Sequence, residues 1–176
     1  MDSKKKTEPA AAETKQIVTF RVGGEEYGLD IGCIAEVIRP LKITPLPRMP
    51  EFVQGVINLR GVIIPVVDLR KRFAVGAANT AAGRNTVRMM ITKGAFLEST
   101  GRKRALLALV VDSVQEVLHL APEQIDAAPP AATGRNVEFI AGMGKLSDRL
   151  IILIHLARIL THQERAALAE ARDVHP

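Results

Sequence analysis

The sequence has very few of the residues on which several classes of protein depend. Its 176 residues include one cysteine, no tryptophan, one tyrosine and five phenylalanines. The lone Cys33 excludes an intramolecular disulfide, and the shortage of aromatic rings leaves no stacking platform for single-stranded nucleic acid. The longest apolar runs, VIIPVV and LIILI, are far shorter than the ~20 residues of a membrane-spanning helix. With no signal-peptide pattern at its start, the chain is predicted to be cytoplasmic, without membrane insertion.

Motifs of catalysis and cofactor binding are missing as well. The sequence contains no phosphate-binding loop, no dinucleotide-binding glycine motif, no nucleophile elbow and no kinase signature. None of the four histidines stands at metal-ligand spacing from a cysteine or an acid. Cys33 precedes an apolar segment, which predicts packing rather than nucleophilic chemistry. These absences leave room for an enzyme without familiar motifs, but they favour an interaction module that holds no cofactor or metal.

A net charge of +5 keeps one alternative function open, a basic β-barrel that binds nucleic acid through its phosphates. Basic residues gather at Arg84, Arg88, Lys93 and the run 102–104, which lies in a predicted hairpin loop. A solvated loop is the simpler interpretation of that run. No groove-reading motif accompanies it, so nucleic acid is not the predicted partner.

What the sequence does contain is an internal repeat. Residues 51–69, EFVQGVINLRGVIIPVVDL, return 87 positions later as residues 138–156, EFIAGMGKLSDRLIILIHL. An earlier stretch, CIAEVI, matches SVQEVL at an offset of 80. Positions that recur are predicted to serve the shared fold. Four positions stand out because the second copy replaces them with Lys145, Ser147, Asp148 and Ile152: they are Asn58, Arg60, Gly61 and Pro65.

Short β-like segments make up most of the predicted fold. Strands are predicted at 17–22, 25–30, 34–39, 53–59, 62–67, 86–97, 105–111, 114–120, 140–146 and 149–154. About five short strands in each copy favour two compact barrels, since closure removes exposed edges. The two apolar runs are typical of strands covered on both faces. Pro65 predicts an edge position or a bulge in its strand.

The organisation predicted along the chain has three parts. Residues 1–14 are predicted to be a disordered tail, and residues 15–160 a domain with lobes at about 15–75 and 84–160. Thr161 and Glu164 form a capping box ahead of RAALAEAR, which predicts a helix over 161–172 within the terminal segment 161–176. A short helical turn is predicted at 68–73.

The run ITPLPRMPEFVQGVINLRGVIIPVVDLR, residues 43–70, strongly resembles the CheW family of bacterial chemotaxis coupling proteins. The resemblance extends from Gln16 to about Leu160 and includes EEYGLDIGCIAEVI and VVDSVQEVL. It implies an all-β fold with a C-terminal helix, in which two pseudo-symmetric five-stranded SH3-like barrels pack around a shared apolar core. It also implies a non-enzymatic adaptor that couples chemoreceptors to the histidine kinase CheA in signalling arrays at the inner membrane.

The resemblance further implies where the partners bind. Receptor tips are helical hairpins that dock in an apolar groove between the two barrels. The positions that match the receptor-contacting elements are Ile34, Glu36, Val37, Gly55, Asn58, Arg60, Val111 and Val114. The four aliphatic residues among them have an alternative role in the core. Gly55, which recurs as Gly142, has an alternative role in a bulge or a close contact.

Two further expectations concern Arg60 and the kinase. Arg60 is interpreted as functional because the equivalent turn of the second copy, Ser147-Asp148, has no arginine at that place. Glu123 and Gln124 match a family segment at the barrel ends, where the similar regulatory domain of the kinase is expected to bind, and both are expected to be exposed. The chain departs from the family at His155, where an acid is common, and in the long basic hairpin KGAFLESTGRKR.

Overall fold

Eleven strands and two helices form within the residues that the computed structural model describes, namely 13–75, 84–93, 106–129 and 138–173. The strands are β1 Lys15–Val22, β2 Glu25–Asp30, β3 Ile34–Ile38, β4 Val53–Leu59, β5 Val62–Asp68, β6 Arg88–Lys93, β7 Leu106–Val111, β8 Ser113–Leu120, β9 Ile125–Asp126, β10 Ile140–Lys145 and β11 Leu150–Ile154. The helices are α1 Leu69–Arg72 and α2 His162–Asp173. The all-β prediction with a C-terminal helix is confirmed. Most of the predicted tail 1–14 and of the basic hairpin lies outside the described residues.

The two sheets interlock. The six-stranded sheet has the order β8-β1-β2-β11-β10-β9, and the five-stranded sheet has the order β3-β6-β7-β5-β4. Each sheet therefore takes a hairpin from the other copy, since β1 and β2 join the second-copy strands while β6 and β7 join the first-copy strands. One parallel contact recurs in each sheet, β2 with β11 and β7 with β5. Each sheet thus contains strands from both of the lobes that the repeat predicts, 15–75 and 84–160.

Apolar side chains form three clusters because most strands are covered on both faces. The five-stranded sheet forms the first barrel and the six-stranded sheet the second. One face of β7, with Leu107 and Leu109, joins a large core shared by both sheets, whereas Ala108 and Val110 line the interior of the first barrel. The second barrel has a smaller interior. The runs VIIPVV and LIILI divide in the same alternating way, as their composition predicts.

A row of four aromatic rings crosses the shared core. Phe20 stacks on Tyr27, Tyr27 meets Phe73, and Phe73 stacks on Phe139, with ring centroids 6.0, 4.9 and 4.2 Å apart. Phe73 belongs to the first copy and Phe139 to the second. All four residues are at least 93% buried, so two thirds of the six aromatic side chains in the sequence are used to join the copies.

Gly55 and Gly142 occupy equivalent bulges, as the recurrence of this glycine predicts. The pairing of β4 with β5 shifts between Val53 and Gly55, and that of β10 with β11 shifts between Ile140 and Gly142. Gly55 has φ +138°, and a Cβ there would lie 2.1 Å from the carbonyl oxygen of Thr44. At Gly142 a Cβ would lie 2.6 Å from the carbonyl oxygen of Asp126. Both glycines therefore allow a crossing segment to approach the bulged strand.

Of the two positions predicted for Pro65, an edge or a bulge, the edge is wrong, because β5 lies between β4 and β7. The bulge of this pair lies close by, but its extra residue belongs to β4. Opposite Pro65, Val56 directs both its N–H and its carbonyl to Thr44, at 2.9 and 2.8 Å. The parallel pairing with β7 begins only at Val66. Pro65 therefore occupies a position in an interior strand where the ladder does not require a backbone N–H.

The capping box predicted for the terminal helix is confirmed. The Thr161 hydroxyl accepts a hydrogen bond from the Glu164 N–H at 3.2 Å, and the Glu164 carboxylate accepts one from the Thr161 N–H at 2.7 Å. Leu168, which is 1% exposed, anchors the helix to the shared core. Neither of the helices in the described segments is long and apolar enough to cross a membrane.

The two copies of the bulge lead to a stability prediction. Gly55→Ala should lower the free energy of unfolding by more than about 2 kcal/mol, because the new methyl group meets the backbone of Thr44 in a strained conformation. Gly61→Ala is the control, since Gly61 also has a positive φ of 83° but has open space around its Cα. Its loss should be about 1 kcal/mol. Urea denaturation measures both, and equal losses would contradict the close-contact explanation.

Candidate functional site

The bulge in β3 sets the exposure of the three candidate residues on that strand. The pairing of β3 with β6 shifts between Ile34 and Glu36, so Ala35 is an extra residue. Ile34 is half-buried and packs against the shared core, whereas Val37 is 41% exposed. β8 carries an equivalent shift opposite Val18 and Phe20 in β1. The bulge therefore gives this strand one aliphatic residue at the core margin and one on the surface.

Val111 and Val114 also differ in how deeply their side chains are buried. Val111 is fully buried in the shared core, which favours the structural alternative for this residue. Val114 is half-buried and packs against that core from its margin. Of the four aliphatic candidates, Val37 is therefore exposed, Ile34 and Val114 are partly accessible, and Val111 is not.

Asn58 and Arg60 belong to the tight turn between β4 and β5. Arg60 and Gly61 have φ values of 50° and 83°, the conformation of a two-residue turn whose twist suits a β-hairpin. The side-chain carbonyl of Asn58 accepts a hydrogen bond from the Gly61 N–H at 2.9 Å. Asn58 is therefore engaged in holding the turn that presents Arg60.

The guanidinium of Arg60 forms an ion pair with Glu36 and so joins the turn to β3. The Arg60 side chain is 70% exposed and that of Glu36 is 33% exposed. An ion pair so open to water contributes little to stability. It does, however, hold two of the candidate residues, one from each end of the sheet, in direct contact.

A second ion pair of the same kind lies on the other barrel and was missed by the sequence comparison. Glu116, the counterpart of Glu36, pairs with Arg149, which also lies 3.3 Å from Glu26. The hydrogen bond to Glu116 is the main cause that raises the pKa of Arg149 above its ordinary value. The argument that only one copy has such an arginine therefore does not hold, because the arginine of the second turn stands two positions after Ser147, where position-by-position alignment does not find it. The functional interpretation of Arg60 stays a prediction.

Glu123 and Gln124 lie in a 3-10 turn, Pro122–Gln124, just before the edge strand β9. Glu123 is exposed as expected. Gln124 is half-buried, and its side-chain carbonyl accepts a hydrogen bond from the Ala121 N–H at 2.9 Å. The expectation that both are exposed is correct only for Glu123, because Gln124 caps its own turn.

Asp68, Arg70 and Asp112 form a charged cluster that the sequence reasoning did not single out. The Arg70 guanidinium lies 3.2 Å from an Asp68 oxygen and 3.4 Å from an Asp112 oxygen. Asp68 and Arg70 line a cleft of about 560 Å3 together with Phe52 and Lys71. The motif VVDLR contained a signal, because Asp68 is a charged residue at the end of a buried apolar strand.

The described residues offer little for catalysis. They contain no group of three or more metal-ligating side chains. Burial raises the pKa of the half-buried Cys33 thiol, with Asp30 acting in the same direction, so the reactive thiolate is disfavoured. His155, the counterpart of Asp68 in the second copy, is exposed. Its backbone N–H donates to the carbonyl of Phe139 at 2.7 Å, just as the N–H of Asp68 donates to the carbonyl of Phe52 at 2.8 Å. The departure at His155 thus changes a side chain and leaves the backbone arrangement intact.

Comparisons with known proteins agree on one family. Residues 16–164 match the family model described as the CheW-like domain. The chain is 34% identical to the chemotaxis protein CheW of Klebsiella aerogenes over 94% of each protein, and 27% identical to the protein FrzA of Myxococcus xanthus over 90% of this chain and 93% of that protein. The crystal structure of the scaffolding protein TtCheW from Thermoanaerobacter tengcongensis is 36% identical, with a TM-score of 0.71, and the match covers 86% of this chain and 95% of that one. This chain belongs to the CheW-like family.

Proposed function

We propose that this protein is a chemotaxis adaptor that couples chemoreceptors to a CheA-type histidine kinase and catalyses no reaction itself. The observation that carries the proposal is the match to the CheW-like domain across residues 16–164, in a fold shared with a scaffolding protein. The adaptor works in the cytoplasm, is recruited to receptor arrays, and needs neither a cofactor nor membrane insertion.

The receptor contact is proposed for a surface that we call the receptor face, formed by Ile34, Glu36, Val37, Arg60 and Val114. A helical receptor tip needs hydrocarbon for area and a few polar groups for register. The exposed Val37 and the partly accessible Ile34 supply the hydrocarbon. The ion pair of Glu36 with Arg60 is exposed, so breaking it costs little free energy. Both side chains can therefore form new ion pairs or hydrogen bonds with the receptor.

The other three candidate residues support the receptor face without touching the receptor. Val111 is buried beneath it, Gly55 permits the bulge in β4, and Asn58 holds the turn that carries Arg60. Substitution at these positions acts on receptor binding through the fold. This division follows from their burial and hydrogen bonds.

The kinase contact is proposed at the end of the second barrel. There the exposed Glu123 is the contacting residue and Gln124 keeps the turn in shape through Ala121. The regulatory domain of the kinase, which resembles this family, is the proposed partner of that barrel end. The receptor face lies on a separate surface, so one chain can hold both partners.

Nucleic-acid binding receives less support. The guanidinium of Arg88 donates to the backbone carbonyls of Asn85 and Val87, at 2.7 and 2.8 Å, and is thereby occupied within the protein. The run 102–104 lies outside the described residues. A salt titration separates the two functions, since binding to phosphates weakens steeply with salt and needs no receptor.

The receptor face is tested with two matched valines. Val37→Asp should abolish receptor-dependent activation of the kinase, because a carboxylate there would be desolvated under the receptor helix. Val117→Asp is the control, since Val117 is the pseudo-equivalent residue on the second barrel and has a similar exposure of 46% against 41%. Both variants should fold like the wild type by circular dichroism. Kinase activity is measured with receptor, kinase and adaptor reconstituted, and equal losses in both variants would sink the assignment of the face.

The two arginine-glutamate pairs provide a second test. Arg60→Ala should lower the stability by no more than about 1 kcal/mol and reduce receptor binding, because Arg60 is exposed and lies on the receptor face. Arg149→Ala removes the equivalent pair from the other barrel and should leave receptor binding unchanged. Thermal unfolding and titration with a receptor-tip fragment give the two readouts. Wild-type receptor binding by Arg60→Ala would make its ion pair irrelevant to coupling.

The kinase contact is tested by charge reversal. Glu123→Arg should impair binding of the kinase regulatory domain at least fivefold through repulsion and lost hydrogen bonds, while receptor-tip binding persists. Glu138→Arg reverses another exposed carboxylate of the second copy and is the control. Isothermal titration with each partner measures both effects. Unchanged affinity of Glu123→Arg for the regulatory domain would remove this turn from the interface.

A further inference from the structure

Arg70 connects three parts of the chain through two carboxylates. Asp68, which ends β5, accepts hydrogen bonds from both the backbone and the guanidinium of Arg70. Asp112 lies between β7 and β8, and its Oδ1 lies 3.4 Å from Nη1 of Arg70, the guanidinium nitrogen that does not contact Asp68 Oδ2. The second oxygen of Asp112 accepts a hydrogen bond from the Gly23 N–H at 2.8 Å, in the turn between β1 and β2.

Asp112 stands where the chain leaves one sheet and enters the other. β7 belongs to the five-stranded sheet and β8 to the six-stranded sheet. The N–H of Asp112 also donates to the carbonyl of Arg21 at 2.9 Å, so this residue is tied to the β1–β2 hairpin twice. Because Arg70 follows β5 of the five-stranded sheet, its contact with Asp112 joins the two barrels at the crossing.

The cluster is better shielded from water than the pair of Arg60 with Glu36. The side chains of Asp68, Asp112 and Arg70 are 7%, 17% and 36% exposed, compared with 33% for Glu36 and 70% for Arg60. Shielded charges attract each other more strongly and leave an unfavourable unpaired charge when one is removed. The hydrogen bond to Asp68 is the main cause that raises the pKa of Arg70, which therefore remains charged.

The cluster occurs on one side of the molecule only. The repeat offsets place Ala157 at the equivalent of Arg70 and Gly32 at the equivalent of Asp112. Neither residue has a side chain that could form an ion pair. The second crossing, through Ile31–Cys33, is instead capped locally by Asp30, whose side chain accepts a hydrogen bond from Gly32 at 2.8 Å. An ion pair therefore joins the two barrels at the crossing through Asp112, and the crossing through Ile31–Cys33 lacks an equivalent ion pair.

We infer that Arg70 is a positioning residue for the receptor face, an inference that rests on the proposed function. One wall of that face is Val114, which lies on β8 two positions after Asp112. The other wall, with Ile34 and Glu36, lies on β3 of the five-stranded sheet. The angle between the barrels sets the distance between these walls. By holding Asp112 against the end of β5, Arg70 keeps the walls at the spacing that the receptor helices need.

The test removes the cation of Arg70 and measures barrel geometry and receptor binding separately. Nitroxide labels at Lys42→Cys and Ala141→Cys, both exposed sites, report the distance between the copies in a Cys33→Ser background. Arg70→Gln should broaden the distance distribution and weaken the binding of a soluble receptor-tip fragment by about fivefold. Lys71→Gln removes the neighbouring exposed cation and should change neither. Binding of the kinase regulatory domain should be the same in all three proteins.

Asp112→Asn provides a second variant, since its amide oxygen can still accept from Gly23 while the charge partner of Arg70 is lost. It should reproduce both effects even if Arg70→Gln fails to fold. A distance distribution as narrow as that of the wild type, or a broad distribution with unchanged receptor affinity, would overturn the inference. If the wild type itself binds no receptor tip, the proposed function fails instead, and the label distances still decide whether Arg70 fixes the barrels.

Discussion

The shared apolar core between the two sheets is the constraint on which the remaining structure depends. Phe73 of the first copy stacks on Phe139 of the second, and the ring row continues through Tyr27 to Phe20. Because each sheet contains a hairpin from the other copy, neither barrel is complete without the other half of the chain. The core therefore holds the two barrels together and creates the surface between them, and the Arg70 cluster acts on their spacing at one crossing.

The pseudo-symmetry of the two copies separates features that recur in both barrels from features found in one barrel. The bulges at Gly55 and Gly142 recur, so they belong to the construction of a barrel. The pairs of Glu36 and Glu116 with an arginine also recur, although the pair on the first barrel is too exposed to contribute much to stability. The charged cluster around Arg70 does not recur. An adaptor with two related halves requires such asymmetry if it is to bind two different partners, because identical halves would present identical surfaces.

The surface available for partners is modest, and its chemistry is simple. Exposed aliphatic side chains such as Val37 stand next to an exposed ion pair, and Asp68 and Arg70 in the cleft are paired with each other. Such an arrangement suits the docking of a helix, in which apolar area supplies affinity and a few charges supply register. Within the described segments no group of three or more metal-ligating side chains occurs, and burial raises the pKa of the Cys33 thiol.

The sequence by itself determined every strand but the two-residue β9, together with the capped terminal helix, the repeated glycine bulge and the family. Alternating apolar residues, capping chemistry and an uninterrupted motif are local or directly comparable patterns. Only the tertiary structure decided which hairpin pairs with which sheet, since the offsets of the repeat are the same for exchanged and unexchanged barrels. It also decided that Val111 is core while Val37 is exposed, a distinction that depends on which face of each strand the second sheet covers. The contacts of Arg149 and Arg70 escaped the sequence for a related reason: long side chains reach partners that are distant along the chain, and their positions follow from the closure of the barrels.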